Sequence, residues 1–544
     1  MLKSKVFLAI LSGVLLSLSW PTYGFPYLIF FAFIPLLYIE DQVREVGVKP
    51  LRKVFLYSYI AIFIWNIITT WWIWNSTEFG AIMAIVLNTL FMSLIWVAFS
   101  WSKNHFKYNK NAIFILPIYW IGFEYFHLDW DLSWSWLNLG NVFAMHPYAI
   151  QWYEYTGTLG GSWWILVINI LLFLLVKKVQ IKDFRRKKLL FPSLATLLVF
   201  LMPLIYSWQV YSNFQDRGKQ VEIVVVQPNM DPWSEQFLSP PEDVINRIIK
   251  LSSPLISPKT QFLIAPESAI QEGIQEHPLP YSDLWTNRGV SVSMLQDFMK
   301  QYPDMQLIIG GSSYRFLQEP TSTSRTTESG YIYDEYNTAI LMNSQGVEDV
   351  YHKSKLVPGP EKMPFKKLLS PIQSVAFDLG GTVGSLGYDE RRKVFYSKKD
   401  SIAIAPLICY ESIYGGFVAE FVRNGAQILV IITNDGWWGN SQGHQQHLAY
   451  ARLRAIECRR SIARSANTGI SGFINQRGDL IDNSSYWVSD AKVANVSANN
   501  EITFFTRYGD YPGRVSAFLA VLLLLISVTV SLKKDQPHDE SAKK

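Results

Sequence analysis

The sequence predicts two structural parts, a membrane-embedded bundle of about eight helices and a globular α/β domain. Long apolar runs fill roughly the first 210 residues, and short apolar strand-like runs alternate with helical segments between residues 215 and 510. One more uncharged run follows and, at about 18 residues, is long enough to cross a bilayer. We therefore divide the chain into a seven-helix bundle (1–210), a globular domain (215–510) and a C-terminal membrane helix with a basic tail (511–544).

The predicted membrane helices begin close to the N-terminus. Two lysines precede the first apolar run, as in a signal peptide, but Trp20 and Pro21 stand where a small-residue cleavage site would be. We therefore interpret that run as an uncleaved helix. The eight apolar runs cover residues 6–20, 26–39, 55–74, 80–101, 112–126, 161–176, 189–208 and 515–532.

Loops that contain Lys or Arg alternate with loops that lack both along this part of the chain. Lys and Arg are present before the first run, in 40–54, in 103–111, in 177–188 and in the C-terminal tail, and absent from the loops between. Because loops rich in Lys and Arg stay in the cytoplasm, we expect both termini to be cytoplasmic. The globular domain then lies on the opposite side, which in a bacterium is the periplasmic or outer face of the inner membrane.

Composition argues against several functions. Only 17% of the residues are charged, against about 25% in a typical soluble domain. The net charge is +5, and the globular part has no Lys/Arg stripe interleaved with aromatic residues, so we expect no nucleic-acid partner. The two cysteines, Cys409 and Cys458, cannot form a zinc cluster alone. A disulfide between them stays open as an alternative.

The globular domain reads as strands buried on both faces, because several of its short runs are wholly apolar. Residues 447–462 are predicted to form a helix in which Cys458 is a small core residue, and the Gly-rich segment 378–390 is predicted to be a loop. The predicted strands are 221–227, 261–267, 305–314, 336–343, 349–357, 401–410, 426–434, 462–469, 471–476 and 501–505.

Three polar side chains stand in or at the ends of these strands. Glu267 ends one strand, Cys409 follows "IAPLI", and Lys353 lies in "VYHKSKLV". A cysteine nucleophile needs a base or a nearby cation, and acyl transfer needs donors for its oxyanion. Together the three groups supply these functions. Each also has an ordinary structural interpretation: a core cysteine, a solvated loop glutamate and an edge lysine.

The motifs around these residues resemble those of the nitrilase (carbon–nitrogen hydrolase) superfamily. "APES" carries the glutamate, "YHKSKLVPGPE" the lysine and "CYES" the cysteine, and "TNDGWWGNSQGHQQH" begins a long C-terminal signature. With the order of membrane helices, globular domain and last helix, nearly the whole chain resembles the apolipoprotein N-acyltransferase family. The resemblance implies that the globular domain is an α-β-β-α sandwich.

The resemblance also implies roles for individual residues. Glu267 corresponds to the general base, Lys353 to the stabiliser of the thiolate and oxyanion, and Cys409 to the acyl-carrying nucleophile. The backbone N–H of Tyr410 corresponds to a second oxyanion donor. Three supporting residues, Glu361, Tyr410 and Glu411, and the substrate-engaging Trp233 are also matched. The family usually reads Leu-Val-Pro-Phe-Gly-Glu where this chain reads "LVPGPE" at 356–361, which puts the substrate contacts of that loop in question.

The reaction implied by the resemblance is a two-step transfer without a cofactor. Cys409 takes a fatty acyl chain from a phospholipid, typically phosphatidylethanolamine, and the α-amino group of an S-diacylglyceryl-cysteine at the N-terminus of an apolipoprotein then attacks the thioester. Ping-pong kinetics follow from the covalent intermediate. A thioester needs shielding from water, and we assign this role to apolar outer loops and the pair Trp437 and Trp438.

Three alternatives remain open at this point. The same three side chains would serve a membrane-tethered amidase that acts on a small amide. A transporter would need ionisable residues inside the helices, for which Glu124 is the main candidate. His444 and His447 have metal-ligand spacing but no acidic or thiol residue nearby in the sequence, and within the C-terminal signature we interpret them as structural or loop-anchoring residues.

Overall fold

The structure is a computed structural model of the 544-residue chain. It describes residues 4–106, 109–180, 186–276, 289–366 and 385–534. Part of the predicted Gly-rich loop and most of the basic C-terminal tail lie outside these ranges.

All eight apolar runs form helices. Six helical segments of the described chain are long and apolar enough to cross a membrane, and the helices that begin at Lys5 and Ile115 are shorter. The bundle helices are Lys5–Leu18, Ile29–Ala32 with Ile34–Val46, Pro50–Thr70, Glu78–His105, Ile115–Phe126, Tyr153–Gln180, Arg186–Asn213 and Tyr511–Lys534.

Two mixed sheets form the α/β domain. Within the described residues the first sheet has eight strands, in the order β14-β1-β2-β4-β6-β5 with β3 beside β4 and β7 beside β6. The second sheet runs β13-β12-β11-β10-β9-β8. The strands are β1 Lys219–Gln227, β2 Thr260–Ile264, β3 Ile270–Glu276, β4 Gln306–Leu317, β5 Arg325–Thr326, β6 Ile332–Asn343, β7 Gly346–His352, β8 Phe395–Tyr396, β9 Ala403–Ile408, β10 Ile428–Thr433, β11 Ser461–Ala466, β12 Gly472–Ile474, β13 Leu480–Ile481 and β14 Asp490–Ala498.

The sheets pack face to face between two layers of helices, as the predicted α-β-β-α sandwich requires. In strand β1, residues 223–226 are all apolar because both faces of the strand are covered. Val221 and Ile223 face the second sheet, whereas Val224 and Val226 face helices on the other side. The outer helices are Pro241–Ser252 and Val290–Met299 on the first sheet, and Gly415–Arg423 and Gln442–Cys458 on the second.

The bundle contacts the α/β domain through the loops that contain no Lys or Arg. Gln446, in an outer helix of the second sheet, accepts hydrogen bonds from the indole N–H groups of Trp72 (3.3 Å) and Trp136 (2.6 Å). Trp20 donates to Tyr450 at 3.1 Å. The hydrophobic core of the bundle therefore continues into this domain.

At the helix ends that carry Lys and Arg, these side chains contact acidic and amide side chains of neighbouring helices. Lys103 lies 2.5 Å from Glu40, and Lys177 lies 2.5 Å from Asp41. Arg44 donates to Asn104 at 2.5 Å. Contacts of this kind group the basic loops together, as the alternating Lys/Arg pattern predicts.

Several secondary-structure predictions were wrong, and the strands β5, β8, β13 and β14 were not predicted. Residues 501–505 do not form a strand; Thr503 instead caps the helix Phe504–Tyr508, accepting a hydrogen bond from the Thr506 N–H. Strand β3 was missed, because its polar sequence "IQEGIQE" has no apolar run. The helix predicted over 447–462 is Gln442–Cys458, and Arg459 ends it in a left-handed conformation.

Candidate active site

The three predicted catalytic side chains lie just beyond the ends of three strands. Glu267 follows β2, Lys353 directly follows β7, and Cys409 directly follows β9 and begins the 3₁₀ turn Cys409–Ile413. Because the two sheets face each other, these strand ends deliver groups from both sheets to one place.

Lys353 is at the centre of this group. Its side chain is 1% exposed, and its Nζ lies 2.8 Å from Glu361 and 3.3 Å from Glu267. Burial alone would lower the pKa of Lys353, but the two carboxylates raise it well above the usual value. The lysine is therefore a permanent buried cation at this site.

Asn337 on β6 is a site residue that the sequence did not reveal. Its amide nitrogen donates to Glu267 at 2.8 Å and to Glu361 at 3.1 Å. Its backbone carbonyl accepts from the Lys353 N–H at 2.8 Å. One asparagine thus holds both carboxylates and the lysine, although no motif around it signals this role.

The "LVPGPE" segment keeps Glu361 in place despite its unusual sequence. The second carboxylate oxygen of Glu361 accepts from the Val357 N–H at 2.8 Å. Gly359 has a φ of 98°, a conformation that favours glycine, and its N–H closes the turn on the Lys362 carbonyl at 2.8 Å. The changed loop therefore still presents the glutamate to the lysine.

Cys409 is held in an unusual backbone conformation. Its φ is 49°, in the left-handed region that a non-glycine residue rarely adopts, and the residue is partly exposed. Burial and the charge of Glu267 raise the pKa of the thiol, whereas Lys353 acts in the opposite direction. Burial therefore favours the protonated thiol.

Glu411 ties the lysine segment to the cysteine segment. One of its carboxylate oxygens accepts from the Tyr351 hydroxyl (2.6 Å) and the Ser354 N–H (2.7 Å), and the other from the Ile408 N–H (2.8 Å). The side chain is fully buried. Burial raises the pKa of Glu411, while the hydrogen bonds lower it.

His352, directly before the lysine, is held by two carboxylates. Its ring nitrogens lie 2.7 Å from Glu276 and 2.9 Å from Asp389. Burial alone would raise the pKa of Glu276, but the hydrogen bond and the charge of His352 lower it to about 2. These contacts fix the end of β7 from which Lys353 projects.

Tyr410 connects the cysteine turn to the bundle. Its hydroxyl donates to the Ser133 carbonyl at 3.0 Å, and its ring stacks with Trp134. Ser133 and Trp134 belong to the loop after the helix Ile115–Phe126, and the Glu124 carboxylate also holds this loop by accepting from the Leu139 N–H at 2.8 Å. Glu124 thus fixes a loop at the junction.

The three predicted substrate-binding tryptophans separate into two groups. Trp233 is 58% exposed and packs edge-on against Trp437, with 4.9 Å between ring centroids. Trp438 instead packs against Trp72 and Trp136 of the bundle. The pair 437–438 therefore has one side chain in an outward aromatic cluster and one at the junction.

A buried polar cluster lies behind Cys409, and sequence reasoning did not assign it. His447 Nδ1 lies 3.0 Å from Asp435, which accepts from Arg464 at 2.7 Å. Burial alone would raise the pKa of Asp435, but Arg464 and His447 hold it well below its usual range. His444 stacks on Tyr486 at 3.7 Å. In the described chain, no three His, Cys, Asp or Glu residues are grouped as metal ligands.

Both cysteines are free thiols, so the disulfide alternative is wrong. Cys458 is fully buried in the core between the second sheet and its helices, as predicted.

Comparison with known proteins agrees with the two-part architecture. Residues 12–171 match the apolipoprotein N-acyltransferase N-terminal domain, and residues 223–504 match the carbon-nitrogen hydrolase family. An apolipoprotein N-acyltransferase of Chlorobaculum tepidum is 29% identical over 97% of each chain. One from Thermotoga maritima is 24% identical over 98% of this chain and 95% of its own.

Solved structures with a related domain include Nit3 of Saccharomyces cerevisiae, a member of branch 10 of the nitrilase superfamily. It is 14% identical, with a TM-score of 0.36, and the match covers 53% of this chain and 94% of Nit3. From the family match over residues 223–504, the chain belongs to the carbon-nitrogen hydrolase family, and it carries in front of that domain the N-terminal domain of the apolipoprotein N-acyltransferases.

Proposed function

We propose that this protein transfers a fatty acyl chain from a membrane phospholipid to the α-amino group of an N-terminal S-diacylglyceryl-cysteine, the last step of lipoprotein maturation. The relatives named apolipoprotein N-acyltransferase, which align over nearly the whole chain, support this activity. The observation that carries the proposal is the contact of Tyr410, next to the nucleophile, with Ser133 and Trp134 of the bundle. A membrane-tethered amidase would have no need to build its nucleophile turn on membrane loops.

In the first step, Glu267 takes the proton from Cys409, whose sulfur bonds to the ester carbonyl carbon of the phospholipid. Lys353 and the Tyr410 N–H stabilise the oxyanion. The ester carbon–oxygen bond then breaks, and the proton passes to the departing lysophospholipid. In the second step the amine attacks the thioester carbon and Glu267 accepts the amine proton. The carbon–sulfur bond then breaks, and Glu267 returns the proton to the Cys409 thiolate.

Glu361 supports this chemistry by sharing the charge of Lys353. Two carboxylates around one ammonium keep the lysine in place while Glu267 gains and loses its proton. Glu411 holds the cysteine and lysine segments in register. We assign Trp233 and Trp437 to the lipid-binding surface and Trp438 to shielding the thioester from water at the junction.

We also propose the inner membrane as the location, with both termini cytoplasmic and the hydrolase domain on the periplasmic or outer face. Support comes from the grouping of basic helix ends around Glu40 and Asp41, apart from the loops that meet this domain. The acyl donor that we propose is phosphatidylethanolamine, and the acceptor is a diacylated apolipoprotein.

Intact-mass analysis tests the proposal. Purified protein is incubated with phosphatidylethanolamine that carries different acyl chains at its two positions, so that the mass added identifies the chain transferred. We expect one acyl adduct on the wild type and on Cys458→Ala, none on Cys409→Ala, and discharge by a diacylglyceryl lipopeptide. Absence of an adduct from the wild type, with ammonia released from small amides, would favour the amidase instead.

A further inference from the structure

Cys409 and Tyr410 share a peptide bond whose two ends face opposite environments. In a trans peptide the carbonyl of one residue and the N–H of the next point in opposite directions. Tyr410 is the second residue of the turn Cys409–Ile413, where a helical N–H has no partner inside the helix. Whatever holds the Cys409 carbonyl therefore also sets the direction of the Tyr410 N–H.

Two side chains hold that carbonyl. The Ser412 hydroxyl donates to the Cys409 carbonyl oxygen at 2.8 Å, and His447 Nε2 lies 3.2 Å from the same oxygen. A carbonyl oxygen only accepts, so Nε2 carries the proton in this contact. His447 Nε2 also lies 3.0 Å from the Ser412 hydroxyl oxygen, which makes a closed triangle behind the nucleophile.

The ring of His447 is itself immobilised. Its Nδ1 lies 3.1 Å from a guanidinium nitrogen of Arg464 and 3.0 Å from Asp435. Asp435 is itself fixed by the Thr433 hydroxyl at 2.8 Å and by Arg464. Trp438 packs edge-on against the imidazole. The side chain is 1% exposed, so no solvent competes for its hydrogen bonds.

We propose that His447 is a positioning residue, which aims the Tyr410 N–H at the oxyanion by anchoring the Cys409 carbonyl. Hydrogen bonding at the carbonyl also polarises the peptide and strengthens its N–H as a donor. The effect is confined to reactions that develop an oxyanion. The inference rests on the proposed thioester chemistry at Cys409 and is independent of which lipid supplies the acyl chain.

Two reactions of the same thiol separate this role from a general structural one. Acylation by p-nitrophenyl butyrate forms the sulfur–carbon bond and an oxyanion, whose collapse breaks the ester carbon–oxygen bond and releases p-nitrophenolate. Alkylation by iodoacetamide displaces iodide at a saturated carbon, without an oxyanion. In His447→Leu we expect acylation to slow by about 10- to 100-fold, part of the cost of losing a whole oxyanion donor, and alkylation to stay within about twofold.

A conservative variant and matched controls complete the test. His447→Gln keeps an N–H donor near the position of Nε2, and we expect it to recover most of the acylation rate. Ser412→Ala removes the other hydrogen bond to the carbonyl, and a smaller loss confined to acylation is expected. His444→Leu, one turn earlier on the same helix, is expected to match the wild type in both reactions.

Equal losses in acylation and alkylation would overturn the proposal, as would an unchanged acylation rate in His447→Leu or no recovery in His447→Gln. If His447→Leu does not fold, Ser412→Ala decides between the same outcomes. Because the probe is a soluble ester, a wild type that reacts with it but not with phosphatidylethanolamine would refute the lipid function and leave this inference standing.

Discussion

Replacing Glu411 with glutamine tests whether one buried carboxylate sets the geometry between nucleophile and lysine. Glutamine has nearly the same shape, but one carboxylate oxygen becomes an NH₂ group. If the remaining oxygen keeps the Tyr351 and Ser354 donors, the new amide faces the Ile408 N–H, which now lies 2.8 Å from a carboxylate oxygen. Two donors then face each other in a fully buried site.

The size of the effect follows from these contacts. A buried donor left without a partner costs about 1–3 kcal/mol. The bonds from Tyr351 and Ser354 lose their charge assistance, which removes about 1 kcal/mol each. We therefore expect Glu411→Gln to lower the free energy of unfolding by about 3–5 kcal/mol, seen as a fall of roughly 10 °C in the thermal midpoint.

Activity should fall with stability, because the same carboxylate connects the two catalytic segments. A displacement of about 1 Å between Cys409 and Lys353 costs about 100-fold in rate. The assays are thermal unfolding in detergent and the rate of Cys409 acylation at a temperature where the variant is folded. Glu420→Gln, on the exposed face of the next helix, is the control. A folded Glu411→Gln that acylates within about threefold of wild type would refute the reasoning.

Two further predictions concern the neighbouring strands. A Cβ at Gly310 would lie 2.6 Å from the Glu267 Cα, so Gly310→Ala should displace Glu267, the proposed base, and slow acylation by about 100-fold. The control is Gly273→Ala, whose Cβ would meet only a tyrosine ring at 3.4 Å and which should leave the acylation rate unchanged. Burial alone would lower the pKa of His352, but its two carboxylate partners raise it above 6.5. Its stabilisation is therefore complete below that pH and is lost as pH rises through the folded pKa, so His352→Gln should destabilise most near pH 6 and least at alkaline pH. A pH-independent difference in thermal midpoint would contradict this.

Local sequence was sufficient for the membrane helices and for most strands. Apolar runs predict membrane helices because each apolar side chain favours the bilayer interior independently of tertiary contacts. All eight runs form helices. Strands β1 and β10 were predictable because both of their faces are covered. The prediction of a strand at 501–505 was wrong because a tertiary contact determines the conformation there. The ring of Phe505 packs against Gly157, where a side chain would leave no room for it.

For the site, the sequence predicted Glu267, Lys353 and Cys409 from their motifs. Only the tertiary structure could add Asn337 and show that His447, named from the sequence for its spacing from His444, contacts the cysteine turn. Their partners lie 70 and 38 residues away along the chain, at Glu267 and Cys409. Asparagine and histidine are common residues, and what distinguishes these two is the direction of their N–H groups in a buried site. That direction depends on how the two sheets and the outer helix pack together, which no local pattern encodes.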